Sequence, residues 1–361
     1  MKRRAGDKII SFAPASVANV GPCYDIMGYS LDYIGDFAEV TLTNTAGEFE
    51  WLGVQGPYAS ELKDCGKNDN AAYAVAHGLW TEYRDRAPEG LGVQMMLHKY
   101  MPVGSGLGSS AASGVAAGKA MLELIGWSDA KCTEQEEDEL FSYLLRSEGA
   151  TAFAQHPDNV LPAYKGGFVI SSKTHVQRLD CPGHLISVVI KPAYGIITLL
   201  ARERLRDYVV SSILDTSADL REQALRILDL VSSQSSLAAL MSYAVASDNV
   251  ALMGKIMQNN ALLEGGRAGL IPCLPKVKKA AMEAGAYGCS ISGSGPAIVA
   301  LTDEPDKAII IKKAMLNAAD SKEAKWLISP SNNRGARIIE ADIATELRRG
   351  HNAHNFFPSS E

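Results

Sequence analysis

Pro102-Val103-Gly104-Ser105-Gly106-Leu107-Gly108-Ser109-Ser110-Ala111-Ala112 is the stretch that decides how this chain folds. Glycines at alternate positions let successive backbone N–H groups turn toward one point with no Cβ in the way. Two serines follow, and then a run from Ala111 to Ile125 that is apolar nearly all round. That run predicts a buried helix whose small residues pack closely on a sheet, with Gly126 as its C-cap. A glycine-rich loop that feeds a helix N-terminus is a ready anion site, and a triphosphate is the obvious guest. The G-x-x-x-x-G-K-[ST] spacing of a P-loop is absent. A dinucleotide site would need an acidic residue at the end of the next strand, and the spacing does not supply it.

Outward from the loop, Leu91–Leu97 reads as the strand that leads into it, and Asp69–Tyr83 as a helix entered through polar Lys67-Asn68-Asp69. Lys8–Ala13 reads as a short strand closed by Pro14, and Phe37–Leu42 as another. Thr133-Glu134-Gln135-Glu136 has the capping-box form and should open a helix that turns Leu140, Tyr143 and Leu144 inward; the acidic run to Glu139 is its solvated start. Strands are expected at Gly166–Ile170 and His184–Ile190, and a strand–turn–strand at Gly288–Leu301. Helices are expected over Asp219–Ser232, Leu237–Leu263, Lys276–Ala284 and Asp306–Ala319. No repeat or low-complexity linker interrupts the chain. Strands followed by helices in both halves indicate an α+β protein with a soft boundary near residue 180.

The 361 residues are too many for one ordinary core, so two domains are expected. With 47% apolar and 21% charged residues the composition is that of a soluble globular protein, and no apolar run approaches the roughly 18 residues of a membrane span. A net charge of −6 with interspersed signs argues against a nucleic-acid binder. The six cysteines form no C-x-x-C pair and read as reduced thiols of a cytoplasmic protein. No H-E-x-x-H occurs, and His351 and His354 in the polar tail do not suggest a zinc site. Met1-Lys2-Arg3-Arg4 is basic, but Asp7, Lys8 and Pro14 interrupt any apolar signal region, so secretion is not expected.

The glycine loop resembles the phosphate-binding motif of the GHMP kinases. Two further stretches fit that superfamily: Pro14-Ala15-Ser16-Val17-Ala18-Asn19-Val20-Gly21-Pro22 near the N-terminus, and Ile291-Ser292-Gly293-Ser294-Gly295-Pro296-Ala297 near the C-terminus. The first continues as Cys23-Tyr24-Asp25-Ile26-Met27-Gly28, similar to the N-L-G-P-G-F-D-x-x-G form of the homoserine kinase family. It is unlike the G-E-H-x-D-Y of galactokinases or the early lysine of mevalonate kinases. Glu148-Gly149 with His156-Pro157-Asp158-Asn159-Val160 resembles that family's E-G and H-x-D-N-V. Thr198–Arg202 resembles its T-x-x-A-R, and Arg267–Pro272 its R-x-x-L-I-P. Departures are Phe153-Ala154 where S-G is usual, Arg206 after Leu205, and Cys273-Leu274 after Pro272.

The resemblance implies a two-domain GHMP kinase fold: residues 1–180 as a ribosomal protein S5 domain 2-like ATP-binding domain, and 181–361 as a ferredoxin-like C-terminal domain. It implies ATP and Mg2+ as cofactors. The acceptor would be the hydroxyl of L-homoserine, giving O-phospho-L-homoserine for threonine biosynthesis. It also implies a homodimer, with no nucleic-acid or membrane partner. Pro102 to Ala112 would hold the phosphates, Asn70 would lie in the adenine pocket, and Glu148 and Ser110 would ligate the metal. A substrate with a carboxylate, an ammonium and a reacting hydroxyl suits a mixed donor set. Arg202 and Arg267 could clamp the carboxylate with their planar forks. Asp25 could take the ammonium or hold the hydroxyl, and Asn19 and Asn159 could fix orientation. Other GHMP kinases place an aspartate near the position of Thr198, which cannot act as a base at neutral pH; phosphate itself would then take the hydroxyl proton late. The rivals are a GHMP kinase for another small alcohol, and a catalytically inactive ligand-binding member.

Overall fold

The computed structural model describes residues 3–126, 139, 141–145, 157–172, 174–213, 219–319, 321–340, 342–348 and 353–356. Glu148, Gly149, His156 and the capping box at Thr133–Glu136 therefore lie outside the described residues. In chain order the strands are β1 (Lys8–Ala18), β2 (Met27–Thr43), β3 (Phe49–Gln55), β4 (Gly92–His98), β5 (Phe168–Ser171), β6 (Val176–Leu179), β7 (Ile186–Lys191), β8 (Gly288–Ile291), β9 (Ile298–Thr302), β10 (Lys325–Pro330) and β11 (Arg337–Ile338). The α-helices are α1 (Ala71–Tyr83), α2 (Ser109–Leu124), α3 (Pro157–Lys165), α4 (Thr198–Tyr208), α5 (Leu220–Ala246), α6 (Val250–Met257), α7 (Ala261–Arg267), α8 (Leu274–Glu283), α9 (Pro305–Ala319) and α10 (Ile343–Arg348). None of the described helices is long and apolar enough to cross a membrane.

The first sheet runs β11-β1-β2-β4-β3, and β5 joins it through β2 and carries β6. Its pairs are antiparallel except β3 with β4, which α1 connects as a crossover. Helix α2 lies on this sheet as its composition requires. Ala111, Ala112, Val115, Ala116, Ala120 and Met121 are buried, with Ser11 of β1 donating to the Ala116 carbonyl at 2.6 Å. A Cβ on Gly118 would stand 2.7 Å from Leu144 and 3.3 Å from Val75 of α1, so the small residue sets how closely the helices approach. Tyr143 and Leu144 are buried against this layer, as their spacing predicts.

The second sheet runs β10-β7-β9-β8 with every pair antiparallel. With α8 before β8 and α9 between β9 and β10, this is the βαββαβ order of a ferredoxin-like unit. Alternation along β7 assigns its two faces. Val188 and Ile190 pack with α8 and α9, while Val189 packs with Val299, Leu301, Leu327 and residues of β1, β2 and α6. That second cluster joins the two halves in one core; each large aliphatic side chain in it contributes about 1.5–3 kcal/mol.

The differences from the sequence reading have physical causes. β1 does not stop at Pro14 but runs to Ala18, because the register shifts between Pro14 and Ser16 and the irregularity absorbs the missing N–H. The helices expected at Asp219–Ser232 and Leu237–Leu263 are divided elsewhere. Asp219 caps one continuous α5, and the chain breaks at Asp248, φ 56°, before Asn249 caps α6. Strands β3, β6, β10 and β11 were not foreseen; β6 and β11, of four and two residues, are too short to leave a period-2 signature.

Candidate active site

The end of β4, the glycine loop, the N-termini of α2 and α4, the turn after β1 and the turn after β8 surround one cavity of about 650 Å3. Gly104, Gly106 and Gly108 have φ of 60°, 79° and 68°, a region in which side chains are strained. A Cβ on Gly106 would lie 2.6 Å from the Ser292 carbonyl, and one on Gly108 would fall on Ser16 Oγ and 2.9 Å from Asn159 Oδ1. The loop is clasped from the far end of the chain. Ser292 Oγ donates to the Gly106 carbonyl at 2.7 Å, and Ala297 N to the Ser105 carbonyl at 3.1 Å. Among the described residues no side chain caps the start of α2, where Gly108 takes the left-handed conformation. Its first N–H groups and the helix dipole therefore favour an anion.

Of the residues singled out from sequence, Asn19, Asp25, Asn70, Val103, Gly104, Ser105, Gly106, Gly108, Ser109, Ser110, Asn159, Thr198, Arg202 and Arg267 all line this cavity. Pro102, Leu107, Ala111 and Ala112 do not line it; they are buried, and the last three belong to the packing beneath the loop. Glu148 lies outside the described residues. Asn70 is also the N-cap of α1: its Oδ1 accepts from Ala72 N at 3.0 Å and Tyr73 N at 3.3 Å, which leaves Nδ2 as its donor toward a ligand.

The opposite group of residues is charged. Arg202, on α4, donates to Asp25 Oδ2 at 2.8 Å. Asp25 and Asn19 both have positive φ, 55° and 54°, and Asn19 Oδ1 accepts from the Asp25 N–H at 2.8 Å. Backbone held this way marks a site whose geometry is imposed by its surroundings. Arg267 is not in a surface loop: it ends α7 and is only 2% exposed. Gly265 and Gly266 let α7 approach α4, since a Cβ on Gly266 would meet Leu205 Cα at 2.6 Å. Arg267 donates one N–H to the Gly293 carbonyl at 2.7 Å, and its Nε has no hydrogen-bond partner among the described residues. Burial pulls its pKa below the usual value, opposed by Tyr24 and Asp25. A buried guanidinium with an unmet donor beside a cavity is suited to a planar anion.

Lys99 escaped the sequence reading. It lines the cavity, is 2% exposed, and forms an ion pair with fully buried Asp36. It also donates to the Ser109 carbonyl at 3.0 Å and Ser113 Oγ at 2.8 Å, while Asp36 accepts from the N–H groups of Tyr100 and Met101. The network fixes the loop's two flanks to β2. Strand parity was the available signal: Val93, Met95 and Leu97 point inward, and Lys99 continues that phase.

The family model for the GHMP kinases N terminal domain matches residues 70–167, and that for GHMP kinases C terminal matches residues 240–321. A homoserine kinase of Chlorobium phaeovibrioides is 33% identical over 342 residues, which cover 91% of this chain and 98% of that protein. The chain belongs to the homoserine kinase family. A family member from Arabidopsis thaliana is 31% identical across 92% of this chain and 84% of its own length. The crystal structure of homoserine kinase from Cytophaga hutchinsonii superposes with a TM-score of 0.76 at 30% identity, covering 93% of this chain and 99% of that one. The fold expected from the three motifs is thus the fold of this family.

Proposed function

We propose that this protein is a homoserine kinase, transferring the γ-phosphoryl group of ATP to the hydroxyl of L-homoserine to give O-phospho-L-homoserine and ADP. One observation carries the choice of acceptor. Arg202 and Arg267 open into the same cavity as the glycine loop, with an acidic Asp25 beside them and a buried Arg267 Nε unmet among the described residues. A carboxylate suits the arginines, an ammonium suits Asp25, and Asn19 and Asn159 supply neutral polar contacts. A sugar would leave the guanidinium groups without an anion.

Phosphoryl transfer demands positioning and charge compensation more than covalent help. The loop N–H groups and the start of α2 receive the triphosphate, and the Lys99–Asp36 pair holds the flanks of that loop in place. Asn70 Nδ2 addresses the base. The bond from the γ-phosphorus to the ADP oxygen breaks as the bond to the substrate oxygen forms, and the hydroxyl proton passes to the transferred phosphoryl group late. Thr198 begins α4 at the cavity wall, where its hydroxyl and the helix N-terminus orient the acceptor without acting as a base. Ser110 and Glu148 would hold Mg2+, a cation that takes few protein oxygens and keeps phosphate oxygens and waters; Ser110 at the cavity wall supports this. When bound, the metal would neutralise charge on the phosphates. The same reading includes a homodimer in the cytoplasm and a division near residue 180.

The test is ADP release from Mg-ATP with L-homoserine, L-serine, L-threonine or mevalonate as acceptor. L-homoserine should be favoured in kcat/KM over mevalonate, which lacks the ammonium, by at least about a hundred-fold, and over L-serine, one methylene shorter, by about ten- to two-hundred-fold. Equal turnover of mevalonate would refute the acceptor assignment. A rate–pH profile with an essential enzyme carboxylate would refute transfer without a dedicated base.

A further inference from the structure

Tyr24 has no part in the roles described above. Its ring centroid lies 5.9 Å from the guanidinium carbon of Arg202 and 5.6 Å from that of Arg267. Two like charges brought to one cavity repel; Arg202 donates to the Asp25 carboxylate and Arg267 to the Gly293 carbonyl. Those partners come from different turns, so they do not by themselves fix the distance between the forks. The aromatic ring lies near both, with Asp25 beside it acting on the same two charges. Its face attracts a cation at this range, more strongly where water is excluded, and Tyr24 is half-buried while Arg267 is buried.

We propose that Tyr24 is the positioning residue for carboxylate recognition: its ring holds the Arg202 and Arg267 guanidinium groups at the spacing that receives one substrate carboxylate. The inference rests on the amino-acid kinase reading above. Discrimination between an amino acid and a plain amino alcohol then depends on this ring, although it need not touch the phosphates. The phenol stays protonated, since burial raises its pKa and the neighbouring Asp25 charge raises it further. The hydroxyl adds no charge but bonds to Asp25, the partner of Arg202; the ring is the part that lies near both guanidinium groups.

The experiment compares wild type with Tyr24→Phe, which keeps the ring, and with Tyr24→Leu and Tyr24→Met, which do not. Each is assayed with L-homoserine and with 3-aminopropan-1-ol, the same amino alcohol without the carboxylate. Loss of the ring should raise KM for L-homoserine about ten-fold. KM for ATP, kcat, and the poor kcat/KM for 3-aminopropan-1-ol should all stay within about two-fold of wild type. Tyr24→Phe, which keeps the ring and loses only the bond to Asp25, should stay within about three-fold of wild type in KM for L-homoserine, and its result stands even if both aliphatic variants unfold. A Tyr24→Phe variant that loses L-homoserine ten-fold overturns the proposal, because the hydroxyl would then be responsible. So does a folded Tyr24→Leu with unchanged KM, or an equal loss with 3-aminopropan-1-ol. If wild type itself leaves L-homoserine unphosphorylated, the amino-acid kinase reading fails and takes this inference with it; if wild type is active and Tyr24→Leu unchanged, the inference fails alone.

Discussion

Replacing Gly108 by alanine separates two costs that glycine loops usually combine. The first is conformational. At φ 68° an L-residue loses about 1–2 kcal/mol relative to glycine. The second is spatial: the new Cβ would fall on Ser16 Oγ and lie 2.9 Å from Asn159 Oδ1. Ser16 is fully buried, with its hydroxyl donating to that same Asn159 oxygen at 3.1 Å, so the oxygen that Cβ would strike cannot retreat into solvent. Overpacking of this kind adds about 1–3 kcal/mol. Gly126 provides the control: its φ is 79°, yet a Cβ there meets nothing within 4 Å. Gly126→Ala should therefore cost about 1 kcal/mol and Gly108→Ala about 2–5 kcal/mol in urea denaturation. Ser16→Ala removes the atom that Cβ would strike. In the double variant the two losses should be less than additive by at least about 1 kcal/mol, the size expected of residues in contact. If Gly108→Ala costs no more than Gly126→Ala, or if the Ser16 and Gly108 changes simply add, the clasp drawn here around the loop is wrong.

Arg202→Ala should raise KM for L-homoserine about a hundred-fold, because it removes a charge-assisted donor and leaves Asp25 without this partner, while KM for ATP stays within about three-fold; steady-state kinetics decide. Lys99→Met leaves fully buried Asp36 with its hydrogen bonds but without the cation, and should lower stability by about 3 kcal/mol, read from the urea midpoint; adding Asp36→Asn should recover part of it. Burial holds His98 below the usual imidazole pKa against the pull of Glu39. The unfolded chain then takes up this proton first as the pH falls, so the contribution is intact above about pH 6.5 and is lost below it. His98→Gln should flatten the drop in denaturation midpoint between about pH 7.5 and about pH 5.5.

Periodicity and glycine spacing carried most of the architecture. The loop, the all-round apolar α2 and the strand–turn–strand at Gly288 are each dictated by local residues, and each lies where expected. Arg202, Arg267 and Asp25 converge as the motifs implied, but burial could not be read from the sequence. Gly265-Gly266 disfavours a helix by propensity, whereas tertiary contact with α4 makes it the tight part of one. The Lys99–Asp36 pair was hidden for a different reason: a charge at a strand end looks solvated unless the phase of both strands is followed. Along β2 and β4, Ala38 opposes Leu97 and Phe37 opposes His98, so one more step sets Asp36 against Lys99. Pro14 misled because a single sequence does not announce a register shift in a partner strand.

The bond from Ser292 to the Gly106 carbonyl spans 186 residues of chain. During synthesis, the ribosome releases the nucleotide cradle long before it makes the serine that braces it. A nascent chain therefore reaches its ATP-holding shape only after Ser292 has been made, and copies that stop short of it should be poor competitors for the cell's nucleotide.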